Sequence, residues 1–158
     1  MRGKPGTLIV LNTYPASRVS PAIRHCAARA GWHVIAARRP GDGRLLARLT
    51  GVASGPVAMM ADDVPTDAAI EGLAMALAAL ARQDLVLGPC EDGGYWLCGV
   101  ARRRRVPGNL FNLAIRPAAD AVAETLAKVP MQLWQVELLP LEDFPRLRYG
   151  RRHGRMVR

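Results

Sequence analysis

Two pairs of adjacent acidic residues are the part of this sequence best suited to chemistry. Asp62 and Asp63 directly follow one short apolar run, and Glu91 and Asp92 follow another, with two glycines after them. Acids on a tight turn at the end of a strand can hold a metal ion or a hydroxyl-rich ligand at the edge of a sheet. Taken alone, however, the second pair fits a hairpin turn with solvated acids better than it fits a ligand site.

Strand-like and helix-like patterns alternate around these acids. Short apolar runs typical of buried strands occupy residues 7–11, 33–37, 56–60 and 84–87, and further strands are predicted at 95–100 and 132–138. Helical patterns occupy residues 21–30, 66–82 and 117–128, with a short helix around 45–49. Only residues 88–94 separate the fourth strand from the fifth, which is too few for a crossover helix, so the fifth strand is predicted to pair antiparallel or to leave in a new direction. The order predicts an α/β fold, a three-layer α/β/α sandwich with a mostly parallel sheet.

The helix ends and the buried face of the long helix are also predicted. Ser20 followed by Pro21 is typical of a helix start, Gly31 is typical of a helix end, and Thr66 is predicted to cap the long helix. The apolar spacing in that helix predicts one buried stripe. Its members are Ile70, Leu73, Ala74, Leu77 and Leu80.

Both acidic pairs are predicted to follow the carboxyl end of a strand. In a mostly parallel sheet these ends share one edge, and ligand sites lie beyond it. Two unrelated pairs of solvated acids need not fall at the same edge. Their coincidence therefore favours a function for them.

Composition limits the classes of protein to consider. The chain of 158 residues has a formal net charge of +9, with arginines concentrated at 102–105 and at 146–158. Such patches suit phosphate-rich partners, but no nucleic-acid-binding pattern accompanies them, so a small-molecule role is favoured. No stretch predicts a membrane span, and a cytoplasmic protein is expected. We predict a single domain at residues 1–148 and a basic, unpacked tail at 149–158; the oligomeric state is not indicated.

The stretch at residues 87–97, Leu-Gly-Pro-Cys-Glu-Asp-Gly-Gly-Tyr-Trp-Leu, resembles the Leu-Gly-Pro-x-x-Asp-Gly-Gly-Tyr-Tyr-Leu signature of the DUF2064 family of glycosyltransferase-A-like proteins. Residues 62–65 resemble its Thr-Asp-x-Pro motif, and residues 41–45 resemble a Gly-Asp-Leu-Gly-x-Arg-type segment. The resemblance covers roughly residues 40–140. It implies a nucleotide-diphospho-sugar transferase-like fold and a metal-dependent nucleotidyl- or glycosyl-transferase.

The resemblance also implies roles for individual residues. Asp63 would act in catalysis and, with Asp62, bind Mg²⁺ or Mn²⁺ that bridges to the diphosphate of a nucleotide or nucleotide sugar. Asp92 would orient or deprotonate the hydroxyl of a small-molecule acceptor. The residues that would contact substrate are Glu91, Gly93, Gly94, Tyr95, Arg18 and Arg44.

The sequence departs from the family pattern at several positions. After the first strand, family members carry a basic loop of the Lys-Thr-Arg-Leu kind, whereas here only Ser17 and Arg18 can take its place. The family's Asp-x-Asp-Thr-Pro pattern near the end is reduced to residues 141–145, with Asp143 as the single match. These departures leave an alternative open, namely a catalytically degenerate member that serves as a binding or partner module.

Overall fold

The structure, a computed structural model, describes residues 5–11, 20–37, 55–61, 64–103, 105–107, 110, 120–130 and 132–142. The elements, in chain order, are β1 (Gly6–Leu11), α1 (Pro21–Ala30), β2 (Trp32–Ala37), β3 (Val57–Ala61), α2 (Thr66–Leu80), β4 (Leu85–Pro89), β5 (Tyr95–Val100), α3 (Ala121–Ala127) and β6 (Val136–Leu138). The short helix predicted around residues 45–49 and the tail predicted at 149–158 lie outside the described residues.

The strands form one six-stranded sheet in the order β2-β1-β3-β5-β4-β6. β5 runs antiparallel to its neighbours β3 and β4, and the other pairs are parallel. One core lies between the sheet and helices α1 and α2, and a second core lies between the opposite face and α3. The predicted three-layer α/β/α sandwich with a mostly parallel sheet is confirmed. Of the two arrangements left open for β5, the structure shows the antiparallel one.

The first helix begins and ends as its sequence predicts. The Ser20 hydroxyl accepts a hydrogen bond from the Ala22 amide at 3.2 Å, and Pro21 occupies the first turn. Gly31 ends the helix in the left-handed region, with φ at 101°. The prediction for α2 was wrong in one respect, because Pro65 is the N-cap residue and no side chain caps the helix.

Helix α2 buries only part of the stripe that its spacing predicts: Leu73 and Leu80 are buried, but the helix is rotated from the predicted orientation. Ile70 and Ala74 are exposed, and Gly72 takes their place against the core. A side chain at Gly72 would collide with the indole ring of Trp96, and one at Gly88 would lie 2.5 Å from its Nε1 atom. The bulk of Trp96 thus selects the buried face, because only a glycine lets the helix backbone approach it.

An arginine closes the carboxyl end of α2. Arg103 donates hydrogen bonds to the carbonyl oxygens of Leu80 at 3.1 Å and Gln83 at 2.6 Å, and it pairs with the buried Asp84 carboxylate at 3.6 Å. The last carbonyls of a helix lack partners within the helix, and a cation also complements the partial negative charge there. Arg103, one of the arginines at 102–105, therefore stabilises the carboxyl end of α2.

Candidate functional site

The candidate site lies at the edge of the sheet where β1, β3, β4 and β6 end. These four strands run in one direction, so their carboxyl ends share an edge, and the antiparallel β5 begins there. Five of the predicted site residues lie together in the segment that connects β4 to β5. They are Glu91, Asp92, Gly93, Gly94 and Tyr95. The other four, Asp62, Asp63, Arg18 and Arg44, lie outside the described residues.

A tight turn at residues 90–94, hereafter the acidic turn, connects the two strands. The Cys90 amide donates to the Gly94 carbonyl oxygen at 2.8 Å, and the Gly93 amide donates to the Cys90 carbonyl oxygen at 3.0 Å. Gly93 has a φ of 90°, in the region that favours glycine. The Asp92 carboxylate accepts a hydrogen bond from the Gly94 amide at 3.1 Å. One oxygen of Asp92 therefore braces the turn, which holds this carboxylate in a defined orientation.

The chain after β6 closes one side of the acidic turn. The Glu91 amide donates to the Glu142 carbonyl oxygen and the Glu142 amide donates to the Pro89 carbonyl oxygen, both at 3.0 Å. Glu142 thereby joins the acids at this edge, although the sequence analysis did not select it. In the sequence, Glu142 is marked only by the weak match to the family pattern at residues 141–145, where Asp143 is the matching acid. Asp143 lies outside the described residues.

Helix α3 closes a second side of the turn. The Val122 amide in its first turn donates to the Gly93 carbonyl oxygen at 3.1 Å. This contact brings Asp120 and Glu124 close to the acidic turn. A hydrogen bond to Asp120 and its negative charge raise the pKa of Glu124 above the ordinary value. No pattern in the sequence marked these two acids, because the segment showed only helical spacing.

Tyr95 points into the core beneath α3. Its side chain is 6 % exposed, and its hydroxyl lies beside the buried hydroxyl of Thr125. Burial raises the pKa of Tyr95, the neighbouring Cys98 raises it further, and Thr125 offsets part of the rise. The Tyr95 side chain therefore packs in the core between the sheet and α3. Contact of Tyr95 with a substrate stays a prediction.

The described acids do not make a metal site among themselves. Within the described ranges, no group of three or more His, Cys, Asp or Glu residues is placed to hold a metal ion. Carboxylate oxygens at this edge are the donors that Mg²⁺ and Mn²⁺ prefer. Asp62 and Asp63, which follow β3 in the sequence, lie outside the described residues, so their binding of a cation stays a prediction.

Comparison with known proteins adds a family and a fold. The model of the DUF2064 family, described as an uncharacterized protein conserved in bacteria, matches residues 14–114, which is more than half of the chain. The comparison with curated proteins finds no match. Among solved structures, the chain is similar to a proposed nucleotide-diphospho-sugar transferase from Desulfovibrio desulfuricans G20, with a TM-score of 0.61 and 17 % identity. The similarity covers 91 % of this chain and 83 % of the other, so the two share a fold.

Proposed function

Because the chain belongs to the DUF2064 family and has a nucleotide-diphospho-sugar transferase-like fold, we propose that it is a metal-dependent nucleotidyl- or glycosyl-transferase. Its donor would be a nucleotide or nucleotide sugar, and its acceptor a small molecule with a hydroxyl group. The observation that carries the proposal is the acidic turn, held at the ligand-binding edge of the sheet by hydrogen bonds from both sides.

The acceptor side of the reaction is assigned to the acidic turn. Gly93 is half-buried and has no side chain, so a ligand can approach the main chain closely there, whereas Gly94 is buried and supplies the amide that orients Asp92. The Asp92 carboxylate is oriented by the Gly94 amide at 3.1 Å. A carboxylate fixed in this way can orient an acceptor hydroxyl or accept its proton without first being ordered.

The donor side is assigned to residues next to β3 and β1. Asp63, with Asp62, would hold Mg²⁺ or Mn²⁺, which supplies positive charge to the diphosphate and its leaving group. Arg18 and Arg44 would contact phosphate oxygens through their guanidinium groups. Transfer of this kind needs positioning and charge neutralisation more than covalent participation by the protein.

A thermal-shift panel of nucleotides and nucleotide sugars, each with and without Mg²⁺ or Mn²⁺, tests the proposal. A ligand that binds the native state at about 100 times its Kd should raise Tm by roughly 5–10 °C. The Asp63→Asn variant should lose this shift, whereas Glu71→Gln, a matched change at an exposed position on α2, should keep it. Unchanged Tm values throughout the panel at millimolar ligand would contradict the proposal.

The second candidate is a family member that has lost catalysis and acts as a binding or partner module. Two observations favour it: residues 12–19 lack the basic Lys-Thr-Arg-Leu-type sequence, and the Asp92 carboxylate braces the turn. This candidate predicts that Asp63→Asn alters neither nucleotide binding nor transfer. Loss of binding in that variant would exclude it.

A further inference from the structure

The outer surface of helix α2 is apolar along most of its length. No polar side chain occurs from Gly72 to Ala81. The polar residues of the segment are Thr66, Asp67 and Glu71 before this run and Arg82 after it. On this surface Ile70 is 49 % exposed and Met75 is 41 % exposed. Ala74 and Ala78, also exposed, continue the surface between and beyond them. A helix that faces only solvent normally carries polar residues on its outer side.

The apolar surface continues into a groove at the carboxyl end of α2. The groove has a volume of about 770 Å³ and lies at the edge of the sheet opposite the acidic turn. It is lined by the helix residues Ala74, Leu77, Ala78 and Ala81, and Arg102 and Arg103 lie at its end. Because these arginines adjoin an apolar lining, the groove suits an apolar surface that also carries negative charge.

The same helix supplies such a surface at its other end. Asp67 and Glu71, both exposed, lie in the amino-terminal half of α2, and the exposed Arg82 follows its carboxyl end. Asp67 precedes Ala74 by seven residues, and Arg82 follows Met75 by seven residues. At about 1.5 Å per residue, both charges lie roughly 11 Å from the midpoint between Ala74 and Met75.

This spacing makes the surface complementary to itself under a two-fold axis. If two copies of α2 cross antiparallel at Ala74 and Met75, Asp67 of each copy meets Arg82 of the other. The Ile70 end of each helix then lies over the groove of its partner, with Glu71 directed toward the arginines. A parallel arrangement would instead bring like charges together.

We propose that the outer face of α2 is a homodimer interface, in which a second copy of the chain packs antiparallel across Ala74 and Met75. The interface is on a helix face and does not include the acidic turn. The proposal therefore goes beyond the proposed function and does not depend on it.

Sedimentation equilibrium of the full chain tests the interface. The wild-type protein should have about twice the 17.1 kDa mass of one chain. Ala74→Glu places a charge at the centre of the face and should give a monomer with an unchanged circular dichroism spectrum. Ala28→Glu, a matched change at an exposed position on α1, should remain dimeric. A wild-type monomer at every concentration tested, or a dimer that Ala74→Glu does not weaken, would overturn the proposal.

A charge exchange tests the antiparallel arrangement. Asp67→Lys and Arg82→Glu should each raise the dimer Kd roughly 3- to 10-fold, because symmetry makes each substitution act twice. The double variant Asp67→Lys/Arg82→Glu restores opposite charges at both contacts and should return the Kd close to the wild-type value. If the double variant dissociates more readily than either single variant, the two residues do not meet and the arrangement is wrong.

Discussion

At the scale of single residues, Asp92 combines a structural contact with a proposed chemical role. Its carboxylate accepts a hydrogen bond from the Gly94 amide, which lies two residues further along the same turn. A hydrogen bond of this kind can be kept while the charge is removed, because an asparagine side chain also offers an oxygen acceptor. The two roles of Asp92 can therefore be separated by substitution.

We expect Asp92→Asn to lower the free energy of unfolding by less than Asp92→Ala does, because the acceptor for Gly94 remains. Asp92→Ala should lower it by about 1 kcal/mol, because the partly buried amide loses its partner. Urea unfolding measures both values, with the exposed Glu91→Gln as a control that should be neutral. Equal losses in the Asn and Ala variants would show that the Gly94 hydrogen bond does not hold the turn.

At the scale of elements, α2 shows where sequence patterns stop being informative. Its composition is so uniformly apolar that the spacing fits several buried faces almost equally well. The face that packs is selected by Trp96, which comes from a strand two elements later and occupies the space above Gly72. Local periodicity predicted the helix, but which of its faces is buried depends on Trp96, a partner that is distant in sequence.

Replacing Gly72 with alanine should therefore destabilise the protein. Alanine favours a helix by about 1 kcal/mol over glycine, but the added methyl group collides with the Trp96 indole. Overpacking of this kind should leave a net loss of about 1–3 kcal/mol in urea unfolding. In a Trp96→Phe background, Gly72→Ala should lower the free energy of unfolding by less than it does in the wild-type protein, because the smaller ring leaves room for the methyl group. A Gly72→Ala variant more stable than wild type would refute the packing argument.

The carboxyl end of α2 provides a second test at this scale. Arg103→Ala should lower the free energy of unfolding by about 1–2 kcal/mol, because the carbonyls of Leu80 and Gln83 lose a donor. The ion pair with Asp84 adds little, since the Arg103 side chain is 46 % exposed. Arg105→Ala, an exposed neighbour, should be nearly neutral. Similar losses in both variants would mean that the effect comes from charge rather than from the cap.

At the scale of the whole molecule, much of the fold could be predicted but only part of the site. Alternating strand and helix patterns indicate a three-layer sandwich, and the short connection after β4 excludes a parallel crossover to β5. The order of strands could not be predicted, because it depends on which hydrogen-bonding edges meet. Glu142 and Asp120 were missed for a related reason: backbone contacts from distant segments bring them to the acidic turn.

The distribution of charge over the molecule bears on how a nucleotide would bind. Among the described residues, four acids lie in or beside the acidic turn, namely Glu91, Asp92, Asp120 and Glu142. Arg102 and Arg103 lie at the opposite edge of the sheet. These acids would repel phosphates unless positive charge offsets theirs, and in the proposed function a divalent ion supplies it together with Arg18 and Arg44. We therefore expect the nucleotide-induced rise in Tm to require Mg²⁺ or Mn²⁺ and to disappear with a chelator. An equal rise without any divalent ion would contradict this.

The position of β5 also has a consequence for the order in which the protein folds. In the described part of the chain, the strands β2, β1 and β3 form one half of the sheet, β5, β4 and β6 form the other, and the β3–β5 pairing joins them. The hairpin of β4 and β5 closes through a short turn, and such local closures take microseconds, long before distant strands find each other. We therefore expect the acidic turn, and with it Asp92, to form before the two halves of the sheet pair.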